Sequence, residues 1–139
     1  MLGRYSIVPT IPVTELERAK RFFAEKLGLV PYSEDDGAAH YRSGSGTFDL
    51  YPTQFAGTAQ HTLLAWEVDD IDLVVAGLRD RGVVFEDYDF PGMDHETGIA
   101  TIEADRVAWF KDTEGNILAV AQPRSDVRRV SYELEEVAP

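Results

Sequence analysis

The sequence predicts an α+β fold in which two βαβββ modules form a curved mixed sheet around a cleft, with the helices on the outside. Three observations support this prediction. The pattern that begins at residues 13–16, Val-Thr-Glu-Leu, begins again at residues 68–71, Val-Asp-Asp-Ile. In both copies a strand pattern leads into a helix pattern that ends at a glycine. Short strands separated by turn residues then follow in each copy.

The two modules are expected to share one domain. A chain of 139 residues can bury one ordinary core and is too short for two independent ones. We therefore predict a single domain at 1–122, with module one at 5–53 and module two at 60–122. A C-terminal extension follows at 123–139, and a short packed helix and a frayed acidic tail both fit it. Its apolar residues fall at roughly helical spacing behind Ser125: Val127, Val130, Leu134 and Val137.

Each predicted helix has one apolar face and a glycine at its end. Thr14 and Glu17 have the spacing of a capping box at the start of the first helix. Gly28 and Gly82 follow the two helices, where a left-handed backbone conformation suits glycine. The apolar faces comprise Leu16, Ala19, Phe23 and Leu27 in the first helix and Ile71, Val74, Val75 and Leu78 in the second.

Alternation of apolar and polar residues, with turn residues between, predicts the strands. They are 5–13, 29–33, 39–43 and 47–51 in module one, and 61–68, 83–88, 99–111 with a break at 105–106, and 116–122 in module two. One set of side chains should face the helices: Ile7, Ile11, Leu64, Trp66, Val68, Leu118 and Val120. The opposite set should line the cleft: Val8, Thr10, Asp49, Tyr51, Leu63, Ala65, Ala119 and Ala121.

Composition excludes several classes of function. The formal net charge of −12 opposes binding to nucleic acid, which depends on clustered Lys and Arg. The chain has no cysteine, so disulfides, thiolate metal sites and a cysteine nucleophile are excluded. No apolar run is long enough to cross a membrane and no signal segment is recognisable, so we expect a cytoplasmic protein without a membrane partner. Motifs for nucleotide binding, zinc proteases and serine hydrolases are also missing.

Two stretches of the sequence resemble a known superfamily. They are residues 11–29, IPVTELERAKRFFAEKLGL, and residues 108–118, AWFKDTEGNIL. They are similar to the glyoxalase/bleomycin-resistance/dioxygenase superfamily, also called vicinal oxygen chelate proteins, and the resemblance spans about residues 5–122. The turn at 109–116 is similar to the family's D-P-D-G-N turn, with Thr113 in place of proline. The resemblance implies the fold, but a fold alone does not fix an activity.

In the family's metal enzymes, His or Glu side chains on the first and last strand of each module bind a divalent ion. The resemblance places these four positions at Val8, Asp49, Leu63 and Ala119. Three of them carry no donor atom, so we expect no metal and no other cofactor. His61 lies two residues before Leu63, and a shifted strand register would bring its imidazole toward the site. A surface or structural role is expected for His40, and an exposed loop for residues 92–96, which contain His95.

Aromatic residues provide the positive evidence for a ligand. Tyr51 is predicted on the cleft face, Tyr32 and Tyr41 lie on neighbouring strands, and Trp109 ends a strand of module two. Their rings could stack on a planar or cationic compound, with Asp49 supplying negative charge. A core position is the simpler expectation for Trp66. The predicted ligand-binding set is Val8, Thr10, Asp49, Tyr51, His61, Leu63, Ala65, Trp109 and Ala119.

Three functions fit these features. The first is a metal-free binding protein that resembles bleomycin-resistance proteins and sequesters a hydrophobic or cationic small molecule, as in antibiotic resistance. The second is a lyase, isomerase or dioxygenase that uses Asp49 and His61, since general-base chemistry needs only one well-placed group. The third is a sensor that uses the same cleft. In each case we expect a homodimer, because the uncovered edges of curved sheets favour pairing.

Overall fold

The computed structural model describes residues 1–124, and the extension considered above for residues 125–139 lies outside the described residues. The elements, in chain order, are a 3₁₀ turn at Leu2–Arg4, β1 at Thr10–Val13, α1 at Leu16–Leu27, β2 at Ser33–Glu34, β3 at Ala39–Ser43, β4 at Gly46–Pro52, β5 at Thr62–Glu67, α2 at Ile71–Asp80, β6 at Met93–Asp94, β7 at Ile99–Ile102, β8 at Asp105–Lys111 and β9 at Ile117–Gln122. Within residues 1–124, no helix has the length and apolar character needed to cross a membrane.

Two mixed sheets confirm the predicted α+β class and its two modules. Sheet one has the strand order β1-β4-β3-β2, and sheet two has the order β5-β9-β8-β7-β6. In each sheet the first strand pairs in parallel with the last strand of its module: Thr10 lies opposite Asp49, and Ala65 lies opposite Ala119. The remaining pairs are antiparallel. The two modules thus repeat one topology, in two separate sheets rather than one.

Several strands are shorter than predicted. The first strand covers only Thr10–Val13, and residues 1–10 are exposed throughout, so the prediction that Ile7 faces the helices is wrong. Ser33–Glu34 replaces the strand predicted at 29–33, and the one predicted at 83–88 is reduced to a bridge between Phe85 and Phe110. The hairpin between β7 and β8 turns at 103–104, where both residues have positive φ, rather than at 105–106. Two residues of the predicted 92–96 loop form β6.

The start of α1 differs from the predicted capping box. Neither Thr14 nor Glu17 caps the helix through its side chain. Instead, the Glu114 carboxylate accepts hydrogen bonds from the backbone N–H groups of Thr14 and Glu15, at 2.9 Å each. A carboxylate at this helix end satisfies N–H groups that have no partner within the helix. The two glycines follow expectation, because Gly28 and Gly82 adopt φ values of +72° and +93°. At the start of α2, the Asp70 side chain accepts a hydrogen bond from the N–H of Leu73.

One core joins both helices and both sheets. Phe23 of α1 contacts Tyr41 and Phe48, with ring centroids 5.5 and 5.7 Å apart. Trp66 lies between the modules, 6.3 Å from Phe48 and 6.4 Å from Phe110 by ring centroids, which confirms its predicted core position. Tyr41 is also fully buried, so it does not take part in the aromatic ligand site considered above. The face of each sheet opposite this core is therefore left for other contacts.

Candidate ligand-binding faces

A hydrogen-bonded row of three side chains marks the outer face of sheet one. His40 of β3 lies directly opposite Asp49 of β4, and its Nδ1 is 2.7 Å from the Asp49 carboxylate. Its Nε2 is 2.8 Å from the carboxylate of Asp35. Asp35 also accepts hydrogen bonds from two backbone N–H groups in the turn that follows it. The His40 ring is thus held at both nitrogens.

The charge state of this row follows from its contacts. Hydrogen bonds from Asp35 and then Asp49 raise the pKa of His40 above its ordinary value. The same bond to His40 lowers the pKa of Asp35. The row contains two carboxylates and one imidazole, so it has a net negative charge whether or not the imidazole is protonated, and the protonated ring can donate to both carboxylates. Sheet one therefore presents a preorganised anionic row to solvent.

Aromatic residues flank this row. The ring of Tyr32 is about half exposed, and the Arg42 guanidinium lies 4.1 Å from its centroid. Tyr51, on the same side of β4 as Asp49, is 37% exposed. A flat ligand on this face would meet ring surface beside the negative charge.

The outer face of sheet two is apolar and aromatic. Trp109 of β8 packs edge-on against Tyr88 and Phe90, with ring centroids 5.5 and 6.0 Å away. Its indole N–H donates to the Thr62 hydroxyl at 3.0 Å, which fixes the orientation of the ring. Ala119 lies beside Trp109 in the sheet. Trp109, Tyr88 and Phe90 together form an aromatic wall on this face.

Six of the nine residues predicted to bind a ligand lie on these two faces. Thr10, Asp49 and Tyr51 are on sheet one, and Ala65, Trp109 and Ala119 are on sheet two. Val8 precedes β1 and is 46% exposed. The other two predicted residues, Leu63 and His61, are placed differently.

A β-bulge at the start of β5 changes the positions of Leu63 and His61. The register shifts between Thr62 and Leu64, and Leu63 packs against the core cluster. The predicted cleft position of Leu63 is therefore wrong. His61 lies before the strand, exposed, and its ring contacts only the carbonyl of Thr62 in the hydrogen bonds described. The partner of Asp49 is His40, which the sequence analysis assigned to a surface or structural role.

The length of the β3–β4 hairpin predicts that His40 pairs with Asp49. The turn at 43–46 fixes the β3–β4 register, and counting back from it places residue 40 opposite residue 49. This pairing brings an imidazole and a carboxylate together on the face opposite Tyr41 and Phe48.

Comparison with known proteins agrees with this geometry. The family model described as Glyoxalase/Bleomycin resistance protein/Dioxygenase superfamily matches residues 6–120. The chain belongs to this superfamily. No curated protein matches the sequence.

Solved structures of the superfamily show the same fold. A glyoxalase family protein from Enterococcus faecalis has a TM-score of 0.68 and 19% identity, over 88% of this chain and 100% of that one. An antibiotic-binding protein from a Streptomyces species has a TM-score of 0.60 and 23% identity, over 86% and 98%. A bleomycin resistance determinant encoded on a transposon has a TM-score of 0.67 and 16% identity, over 86% and 98%. At these identities the likeness shows the fold alone.

The residues that the resemblance places at the superfamily's metal positions do not fit a divalent ion. Val8, Leu63 and Ala119 have no donor atoms, and Leu63 packs against the core cluster. Asp49 alone has a carboxylate there, and His40 already occupies one of its oxygens. In residues 1–124, no group of His, Asp and Glu side chains is arranged to hold a metal. His95, the remaining imidazole, contacts Asp87 on an exposed loop away from β4.

Proposed function

We propose that this protein binds a hydrophobic or cationic small molecule without a metal ion, in a cleft that forms between two copies of the chain. Sheet one of one copy would supply the anionic row and Tyr51. Sheet two of the other copy would supply Trp109 and its aromatic neighbours. The observation that carries the proposal is that one chain has an anionic outer face on sheet one and an aromatic outer face on sheet two, which are chemically complementary.

The arrangement of the core favours a cleft between copies. Within one chain, the helix-side faces of the two sheets share a single core, with Trp66 against Phe48 and its indole N–H bonded to Ser43. The opposite faces consequently point away from that core. A second copy can bring a sheet-two face over a sheet-one face, as closed twofold symmetry allows.

Exposed apolar residues in the N-terminal segment also favour pairing. Leu2 and Ile7 are 79% and 86% exposed, and Tyr5 and Val8 are about half exposed. Apolar groups in such a cluster gain free energy when a partner covers them. A dimer would cover them while completing the cleft.

The chemistry of the two faces indicates the class of ligand. An aromatic wall opposite a carboxylate row attracts a flat molecule that is neutral or positively charged. The net charge of −12 adds a long-range preference for cations over anions. The structural likeness to an antibiotic-binding protein and a bleomycin resistance determinant is consistent with this class.

The His40–Asp49 contact supports a second candidate, a lyase or isomerase that needs no metal. An imidazole held by a carboxylate at 2.7 Å is the arrangement of a general acid or base and its orienting group. In this function His40 would replace His61 as the proton-transferring residue. Mass spectrometry and NMR spectroscopy of the compound before and after incubation separate the two candidates, because a lyase changes its mass, an isomerase changes its NMR spectrum at constant mass, and a binding protein changes neither.

Binding is tested by calorimetric titration with bleomycin and with planar cationic and anionic dyes of similar size. We expect Trp109→Ala to weaken binding of the cationic probes roughly tenfold or more, since a stacked ring contributes about 1–3 kcal/mol. Asp49→Asn should weaken cationic probes more than neutral ones. Phe55→Ala and Asp72→Asn, exposed residues outside both faces, serve as matched controls. The proposal would be contradicted if an anionic dye bound tightly and its affinity were unchanged by both Trp109→Ala and Asp49→Asn.

Mixing the two site variants tests whether the cleft lies between copies. A mixed dimer of Asp49→Asn and Trp109→Ala chains has one cleft with both changes and one with neither. Mixing should therefore restore about a quarter of the wild-type sites when the copies pair at random. If the two variants exchange subunits and the mixture still has no wild-type sites, each cleft belongs to a single chain.

A further inference from the structure

A groove of about 190 Å³ lies between the modules on the helix side, away from the two outer faces. Leu27 and Leu29 line it at the end of α1, Val74 and Leu78 line it from α2, and Trp66 forms part of its wall. All five side chains are only half-buried. Covering them would remove further apolar surface from water, which favours an apolar occupant.

The described chain ends beside this groove. The side chain of Gln122, the last residue of β9, accepts a hydrogen bond from the N–H of Ile71 at the start of α2. The N–H of Arg124 then donates to the carboxylate of Asp105 at 2.8 Å. Residues 125–139 therefore follow a strand end that contacts the N-terminal end of α2.

The sequence beyond residue 124 has a stripe that suits the groove. Val127, Val130, Leu134 and Val137 fall on one side of a helical projection, and Tyr132 falls on the opposite side. As a helix, residues 125–139 would extend roughly 20 Å, enough to follow the whole of α2.

Charge fixes the direction of such a helix. Its first turns carry Arg128 and Arg129, and its end carries three glutamates, at 133, 135 and 136. The start of α2 has aspartates at 69, 70 and 72, whereas Lys26 and Arg81 flank the end of the groove where α1 and α2 finish. Among the charged groups of residues 1–124, neither Lys26 nor Arg81 has an ion-pair partner. A helix parallel to α2 places opposite charges together at both ends.

We propose that residues 125–139 of the same chain bind this groove as an amphipathic helix parallel to α2, with the Val127–Val137 stripe against Trp66, Val74 and Leu78. The segment thus covers the junction of the two modules on the side opposite the ligand face. This interaction does not depend on the proposed ligand.

Trp66 reports directly on this contact. In a Trp109→Phe background it is the single tryptophan, so acrylamide quenching and the emission maximum describe the groove alone. We expect Leu134→Asp to increase quenching of Trp66 and shift its emission to the red. Tyr132→Asp, the matched change on the opposite side of the stripe, should leave both signals as in the parent. Identical quenching in the parent and both variants, with unchanged circular dichroism, would overturn the proposal.

A disulfide tests which chain supplies the segment. Because the protein has no cysteine, Leu78→Cys with Leu134→Cys introduces one possible pair per chain. We expect it to oxidise to a bond within one chain, as docking brings the two positions into disulfide range. Leu78→Cys with Tyr132→Cys is the control that should stay reduced. A dimer-mass product on a non-reducing gel would mean that a second copy supplies the segment, and failure to oxidise would mean that the groove has another occupant. Either result would refute the inference.

Discussion

Glu114 connects the two modules, and the pH dependence of its contribution to stability can be predicted from its contacts. Its fully buried carboxylate accepts hydrogen bonds from Arg18 Nε at 2.8 Å and from two N–H groups at the start of α1. Burial alone would raise the pKa of Glu114, but the bonds from Arg18, the Glu15 N–H and Thr113 outweigh it and lower the pKa to about 2.

The magnitude follows from linkage. The shift from 4.5 to about 2 corresponds to about 3 kcal/mol of stability, at 1.36 kcal/mol per unit. Because the pKa is lower in the folded state, this contribution is complete above the unfolded pKa of 4.5 and disappears as the pH falls toward 2. Glu114→Gln removes the charge and should lower the free energy of unfolding by about 3 kcal/mol at pH 7.

The assay is urea unfolding followed by circular dichroism at pH 7, 4.5 and 3, with wild type and variant compared at each pH. The difference between them should shrink as the pH falls below 4.5. Asp72→Asn is the control: Asp72 also pairs with an arginine, but its side chain is 63% exposed, so its loss should change the free energy of unfolding much less than Glu114→Gln does. The reasoning would be refuted if wild type and Glu114→Gln differed in free energy of unfolding by the same amount at pH 3 and at pH 7.

Three further changes have expected outcomes. Asp49→Asn should lower the pKa of His40 toward its ordinary value, because one of the two bonds that raise it is weakened, and an NMR titration of the ring would show this. Tyr41→Phe should leave thermal stability unchanged or raise it, since the buried Tyr41 hydroxyl has no hydrogen-bond partner in the described structure. Gly92→Ala should lower the melting temperature, because its Cβ would lie 2.4 Å from a backbone carbonyl oxygen at a φ of +93°. Gly44→Ala, at a φ of +56° and in open space, is the milder control.

Local signals in the sequence predicted much of the fold. Helical spacing located both helices, Gly28 marked the end of the first, and turn residues bounded β3 at both ends. The repeat identified the two modules, and the resemblance to the superfamily placed Asp49 and Ala119 at equivalent positions on their last strands. These features depend on residues that are close in sequence, so the periodicity of the sequence predicts them.

Contacts between distant elements could not be predicted from local patterns in the sequence. The carboxylate that caps α1 comes from Glu114, about 100 residues after Thr14, while the neighbouring Thr14–Glu17 pair makes no cap. Strand alternation predicts which side of its own strand a residue faces, but a one-residue bulge reversed that assignment for Leu63. The sequence by itself determined the two modules and the side chains available to each sheet. Only the tertiary structure decided that Glu114 caps α1 and that both sheets bury their helix sides in one core, because these contacts join elements that lie far apart in the sequence.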